Sequence, residues 1–249
     1  MRRLEELNNN GWPGIRWSVA DGWLVRFGDG FTRRANSVLP LHPGTLPLDA
    51  RIARCEALLE RAGLPPCFKM FPEAEPAGLD GELERRGYAR FGIGTMRVLE
   101  ALPAAPPPLP AGLRASAPGQ PAEDWFACFA QGRGLNPRQV AAARRIMEHI
   151  EPEWRCVLLE AEDGPAACAL VVAEDGWAGI SCVVVRAGLR GQGLGRRVME
   201  QAHAQAAAMG ARRTYLMVLD DNWVAGHLYE SMGYRAAYPT WTRVRTPQD

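Results

Sequence analysis

Val183-Val184-Val185-Arg186-Ala187-Gly188-Leu189-Arg190-Gly191-Gln192-Gly193-Leu194-Gly195-Arg196-Arg197 is the stretch that decides the fold. The run Ile180 to Val185 is apolar and rich in β-branched residues, as expected of a strand covered on both faces. From Leu194 to Met209 the chain is Ala-rich with apolar residues at helical spacing. Between them the glycines permit a tight strand-to-helix turn that exposes several backbone N–H groups together. Those groups lie at a helix N-terminus, where the macrodipole favours negative charge. Arg190, Arg196 and Arg197 add positive charge, so the stretch predicts a pyrophosphate cradle. A P-loop is excluded, because Arg196-Arg197 stand where Lys and Ser or Thr would be needed. A dinucleotide-binding loop is excluded too: the glycines run G-x-G-x-G, and no acidic residue closes the next strand.

The spacing R-x-x-G-x-G at Arg190, Gly193 and Gly195 resembles the acyl-CoA pyrophosphate loop of the GNAT superfamily of N-acetyltransferases. A second stretch, Asn222 to Tyr234, carries A-x-x-L-Y-x-x-x-G-Y and resembles the superfamily's other signature. The resemblance implies acetyl-CoA as acyl donor. Its cofactor contacts fall on Val183, Val184, Val185, Arg190, Gly191, Gln192, Gly193, Leu194, Gly195, Arg196, Asn222 and Tyr229. Backbone groups of Val183 and Val185 would pair with the pantetheine arm like an added strand. Asn222 has two roles open to it, a contact to that arm or a helix N-cap. Tyr229 is the candidate general acid for the departing thiolate. Many superfamily members carry a Glu near the start of the strand before the cradle. Here Trp177, Ala178, Gly179 and Ser181 occupy it, with no carboxylate. A water relay near Ser181, a residue outside both motifs, or an acceptor that binds neutral are the three routes left for the amine proton.

The order of elements extends the resemblance. From about residue 122 the chain predicts two helices, a hairpin around Asp163-Gly164, the cradle strand and helix, a strand at 213–219, a helix at 223–231 and a closing strand. Residues 1–100 run in a similar order, and Leu83-Glu84-Arg85-Arg86-Gly87-Tyr88 parallels Leu228 to Tyr234, without the glycine cradle. The expected fold is α/β (α+β): two tandem GNAT-like domains, each a mixed, mostly antiparallel sheet flanked by helices. The expected division is 1–100, a Pro/Ala-rich linker at 101–121, and 122–249 as the acetyl-CoA-binding domain. In the first half Gly28-Asp29-Gly30 predicts a hairpin into a strand at 31–39, whose alternation would put Thr32, Arg34 and Asn36 on one face. Trp23, Arg34, Asn36 and Ser181 are candidates for lining a substrate cleft between the halves.

Composition restrains the alternatives. Over 249 residues the net charge is +1, with no global bias toward nucleic acid or membrane. The six cysteines lack C-x-x-C spacing and the four histidines lack ligand spacing, so no metal is expected. The N-terminus has no apolar signal region, and with mostly buried thiols a cytoplasmic location is expected. The predicted activity is acetyl transfer from acetyl-CoA to a primary amine of a small molecule or peptide, by a monomer or homodimer. A CoA-binding module without turnover and a nucleotide-binding protein are the rivals.

Overall fold

The computed structural model describes residues 1–103 and 105–245. Ala104 of the expected linker and residues 246–249 of the expected second domain lie outside the described residues. The first half contains α1 (Arg2–Asn10), β1 (Arg16–Ala20), β2 (Trp23–Phe27), β3 (Val38–Leu39), α2 (Leu48–Arg61), β4 (Cys67–Met70), α3 (Leu79–Arg85) and β5 (Ala89–Leu99). Then follow β6 (Arg114–Ser116), α4 (Glu123–Arg133), α5 (Pro137–Met147), β7 (Glu153–Ala161), β8 (Gly164–Glu174) and β9 (Trp177–Val185). The chain closes with α6 (Leu194–Ala208), β10 (Arg213–Leu219), α7 (Trp223–Ser231) and β11 (Arg235–Val244).

The two expected sheets are halves of one mixed sheet of eleven strands, ordered β1-β2-β3-β4-β11-β5-β10-β9-β8-β7-β6. Each half contributes one parallel pair joined through a helix: β3 to β4 through α2, and β9 to β10 through α6. The halves also trade strands. β11, the last strand of the chain, lies between β4 and β5, while β5 lies between β11 and β10. Every half of the sheet is therefore completed by the other. Arg243 of β11 clamps this exchange by a paired set of hydrogen bonds to Asp80 of α3, Nε to Oδ1 and Nη2 to Oδ2, both 2.8 Å.

Local chemistry explains most boundaries. Asn136 caps α5 through a reciprocal box, its Oδ1 accepting from the Gln139 N–H and its own N–H donating to Gln139 Oε1, both 3.0 Å. Pro137 supplies the first helical position. Residues 114–116 pair with β7 as an edge strand, so part of the Pro-rich segment belongs to the sheet.

One expected element is shortened: of the strand expected at 31–39 only β3, Val38–Leu39, forms, antiparallel to β2. The first hairpin joins β1 and β2 through Asp21-Gly22, both at positive φ, and residues 28–37 form a loop in place of a strand. Asn36 organises that loop from inside. Its Oδ1 accepts from the N–H groups of Gly28 (2.7 Å) and Gly30 (3.1 Å), and its Nδ2 donates to the carbonyls of Phe31 and Thr32. A side chain that satisfies four turn groups outcompetes a ladder partner. The alternating polar face of Thr32, Arg34 and Asn36 does not form.

Three apolar clusters fill the space around the sheet. One lies under α2 and α3, around Trp23 and Phe68. The second lies under α6 and α7. The third, under α4 and α5, takes in Trp12, Phe31 and Ala35 of the first half.

Candidate active site

β9 and β10 pair only over Trp177↔Arg213, Ala178↔Thr214 and Gly179↔Tyr215. Beyond Gly179 both strands continue without a ladder between them, which opens a notch in the middle of the sheet. The register of β8 against β9 jumps between Cys168↔Val184 and Leu170↔Ser181. Cys182 occupies this bulge at φ +54°, a conformation a non-glycine residue adopts at a cost. The bulge resets the alternation. Ile180, Val183 and Val185 pack toward α6, whereas Cys182 and Val184 pack toward α4. Burial pushes the Cys182 thiol up, away from the thiolate a nucleophile needs.

At the open end of the notch the chain makes a 3₁₀ turn, Ala187–Leu189, and enters α6 through Gly193 at φ +80°. Gly191 is also left-handed, at φ +78°, and a Cβ at either position would meet nothing. No backbone N–H from Gly191 through Gly195 donates to a described residue. Five consecutive donors with no partner among the described residues thus stand at the positive end of a fifteen-residue helix, an environment that favours negative charge. Arg190 holds the turn by donating to the Val185 carbonyl (3.3 Å), and Gln192 does so through the Gly188 carbonyl (3.4 Å). Arg196 reaches Ser231 Oγ on α7 at 2.6 Å. Leu194 is buried beneath.

α7 leans against this turn. A Cβ on Gly195 would lie 3.2 Å from a Leu228 methyl and 3.8 Å from Val185, so β9, α6 and α7 meet closely over this glycine. Tyr229 is 6% exposed in the same cluster as Ile180, Val183 and Leu194, with its ring 5.9 Å from Tyr234. Burial raises its hydroxyl to about 12. The Asn222 side chain caps α7, its Oδ1 accepting from the Ala225 N–H at 3.3 Å. Behind Tyr229, the Tyr234 hydroxyl joins His203 Nε2 (2.9 Å) and Thr214 Oγ1 (2.7 Å) in a buried network.

Residues 1–240 match a protein family described as "Probable histone acetyltransferase Rv0428c C-terminal". The chain belongs to this family. It is similar to "Uncharacterized N-acetyltransferase YobR" of Bacillus subtilis (strain 168), 28% identical over 238 residues that make up 94% of each chain. Among solved structures, a GCN5-related N-acetyltransferase from Kribbella flavida is 21% identical and superposes with a TM-score of 0.72 over 99% of this chain and 96% of that one. A tandem GNAT protein from the clavulanic acid biosynthesis pathway is 17% identical, with a TM-score of 0.66 over 91% and 79%. The protein is thus an N-acetyltransferase of GNAT type, with the tandem fold.

The substrate candidates of this acetyltransferase separate. Arg34 and Ser181 meet at the closed end of the notch, where they line a cavity of about 30 Å³ with Asn8, Gly11, Gly179, Ile180, Tyr215, Leu216 and Met217. Trp23 does not reach it: the residue is fully buried under α2, its indole N–H donating to the Glu75 carbonyl at 2.7 Å. Asn36 does not reach it either, being consumed by the loop it holds together. Tyr215 and Asn8 of α1 also line the cavity, without belonging to either motif. The sequence signal for Tyr215 is Gly179, a lone glycine inside an apolar strand. A Cβ there would lie 2.5 Å from the Tyr215 hydroxyl.

The equivalent turn of the first half is filled by the chain itself. The Asp21 carboxylate accepts from the N–H groups of Thr45 (2.9 Å) and Leu46 (2.9 Å) ahead of α2 and pairs with Arg51 at 3.3 Å. Those donors hold its carboxyl below the usual range. Where the second half leaves donors free, the first supplies its own anion.

Among the described residues no helix is long and apolar enough to cross a membrane, and no group of three His, Cys, Asp or Glu is placed to hold a metal.

Proposed function

We propose that the protein transfers an acetyl group from acetyl-CoA to the primary amine of a small molecule or peptide, by direct attack. The row of free N–H groups from Gly191 to Gly195 beside the parted strands carries this reading. These donors, with Arg190 and Arg196, suit a pyrophosphate, and the edge of β9 at Val183, Val184 and Val185, which forms no ladder with β10, suits an extended amide-bearing arm lying in the notch. Asn222 keeps its side-chain NH₂ for that arm while its oxygen caps α7.

The amine nitrogen forms the new C–N bond at the acetyl carbon as the C–S bond breaks. Tyr229, protonated throughout the physiological range, donates to the leaving sulfur. The amine proton leaves to water in this reading: the described residues lining the cavity at the closed end include Ser181 and no carboxylate. The acetyl oxygen would lie against a strand amide of β9, a preorganised donor of the oxyanion-hole kind. The protein works in this reading without nucleic acid, membrane or metal, as a monomer or homodimer in the cytoplasm.

Thermal shift with acetyl-CoA, CoA and ATP tests the donor. A ligand at 100 times its Kd adds about 2.7 kcal/mol of stability. Stabilisation by acetyl-CoA and CoA is expected, and stabilisation by ATP alone would sink the proposal.

A further inference from the structure

The closed end of the notch carries unbalanced positive charge. Arg34 reaches it from the 28–37 loop, half-buried, its guanidinium 5.1 Å from the centroid of the Trp12 ring. Among the described residues it makes no hydrogen bond and has no carboxylate within ion-pair distance. Three further cations share its field: Arg26, Lys69 and, on α4, Arg133. Arg26 of β2 is 2% exposed and Lys69 of β4 is 5% exposed. Glu5 of α1 is the one carboxylate whose field acts on Arg26, Arg34 and Lys69 alike. Its Oε1 accepts from the Tyr238 hydroxyl at 3.1 Å, and its buried Oε2 has no partner. Desolvation lowers the pKa of Arg26, Arg34 and Lys69, the mark of charge held away from water. Arginine nevertheless stays protonated, so Arg34 presents an unspent fork of donors to the cavity.

The groups around that fork are neutral and able to bond. Asn8 is 7% exposed, and its amide bonds to no described residue. The Ser181 hydroxyl has only the Cys182 sulfur, at 3.8 Å. The Tyr215 hydroxyl stands over Gly179. The cavity of about 30 Å³ has room for a pair of waters or one planar carboxylate. A guanidinium with no hydrogen-bond partner among the described residues, beside a carboxylate-sized space, is the complement of a bidentate anion.

We infer that the acceptor is a small amino acid, its carboxylate held by Arg34 at the closed end of the notch with its amine toward the thioester. This rests on the acetyl-CoA reading of the open end. The two ends of the notch then divide the work: free backbone donors at Gly191 to Gly195 take the donor's phosphates, and Arg34 takes the acceptor's carboxylate. A lysine side chain of a basic peptide is the wrong shape of charge for this site, because its ammonium would enter the field of Arg34, Arg26, Lys69 and Arg133, offset by the carboxylates of Glu5 and Glu174. The same field disfavours an ammonium on the bound amino acid. The nucleophile is thereby presented as a free amine beside a cavity whose described lining holds no carboxylate base.

The test compares matched acceptors on the full chain. Amino acids, their carboxamides, aminoalkyl phosphates and a lysine-rich peptide are supplied with acetyl-CoA, following thiol release and product mass. Binding of the same compounds to the CoA complex is followed by calorimetry. Acids are expected to exceed their amides by roughly 10- to 100-fold in kcat/KM and in affinity, the worth of a charge-assisted pair. Arg34→Gln should collapse that ratio by raising KM for the acids, and Arg34→Lys should restore part of it. Acetyl-CoA affinity and the melting temperature of both variants report whether the fold and the donor end are intact. Amides, the phosphates or the basic peptide matching the acids in the wild type would overturn the inference, as would acids that neither bind nor react while acetyl-CoA binds. Failure of acetyl-CoA itself to bind would remove the donor reading and this one with it.

Discussion

Tyr229 illustrates how one residue can be legible in type and illegible in energetics. Its place in A-x-x-L-Y-x-x-x-G-Y marks it from sequence, but its burial and raised pKa come from the cluster formed by α6, α7 and β9. Tyr229→Phe is expected to lower kcat by roughly 10²- to 10⁴-fold, the usual worth of a positioned acid, while leaving acetyl-CoA affinity near the wild-type value. A wild-type rate profile should show no loss of this acid below about pH 12. His203 makes a different prediction. Burial lowers its pKa from 6.5 to about 4, so the folded chain holds it neutral while the unfolded chain would protonate it. Its contribution is complete above pH 6.5 and is lost as pH falls toward 4, by on the order of 3 kcal/mol. Denaturation midpoints measured across that window should fall in the wild type and fall less in His203→Asn.

At the scale of elements, the turn into α6 is the part most completely written in the local sequence. Gly191 and Gly193 stand at positive φ with open space around them. Gly193→Ala is therefore expected to cost only about 1–2 kcal/mol of stability, the penalty of a left-handed alanine. It should weaken acetyl-CoA binding further than that, which calorimetry of both quantities would separate; a variant with unchanged affinity would place the phosphates elsewhere. The loop at 28–37 shows the opposite case. Its alternation favoured a strand, but Asn36 found four backbone partners inside the loop, and a local pattern does not report which competitor wins. Asp21 ahead of α2 was equally hidden, because its partners Thr45 and Leu46 lie more than twenty residues away.

For the whole molecule, the exchange of β5 and β11 makes each half dependent on the other. Removing residues 1–100 would strip β5 from between β10 and β11 and expose two sheet edges beside the active site. Scanning calorimetry is expected to show one cooperative transition for the full chain, and the isolated second half should fail to give one. Two separable transitions would contradict this. The clamp on β11 gives a milder test. Arg243 is 5% exposed and Asp80 34%, so Arg243→Ala is expected to destabilise by about 2 kcal/mol, less than a fully buried pair would lose. Stability would be read from chemical denaturation of both forms.

The sequence alone determined the order of most elements, the glycine turn into α6, the capping of α5, and the family that Arg190, Gly193, Gly195 and Tyr229 point to. All of these rest on contacts between near neighbours in the chain, where residue type sets backbone geometry directly. The tertiary structure alone decided that two sheets become one, that β11 seats between β4 and β5, that Trp23 and Asn36 turn inward, and that Arg34 arrives beside Ser181. The reason is that a strand edge bonds equally well to any partner of the right register, and a buried side chain answers to whatever surrounds it. Neither choice is encoded within a window of neighbouring residues. In this protein the glycine end of the notch is local and the Arg34 end is not, so the sequence could point to the proposed donor while the proposed acceptor site waited on the fold.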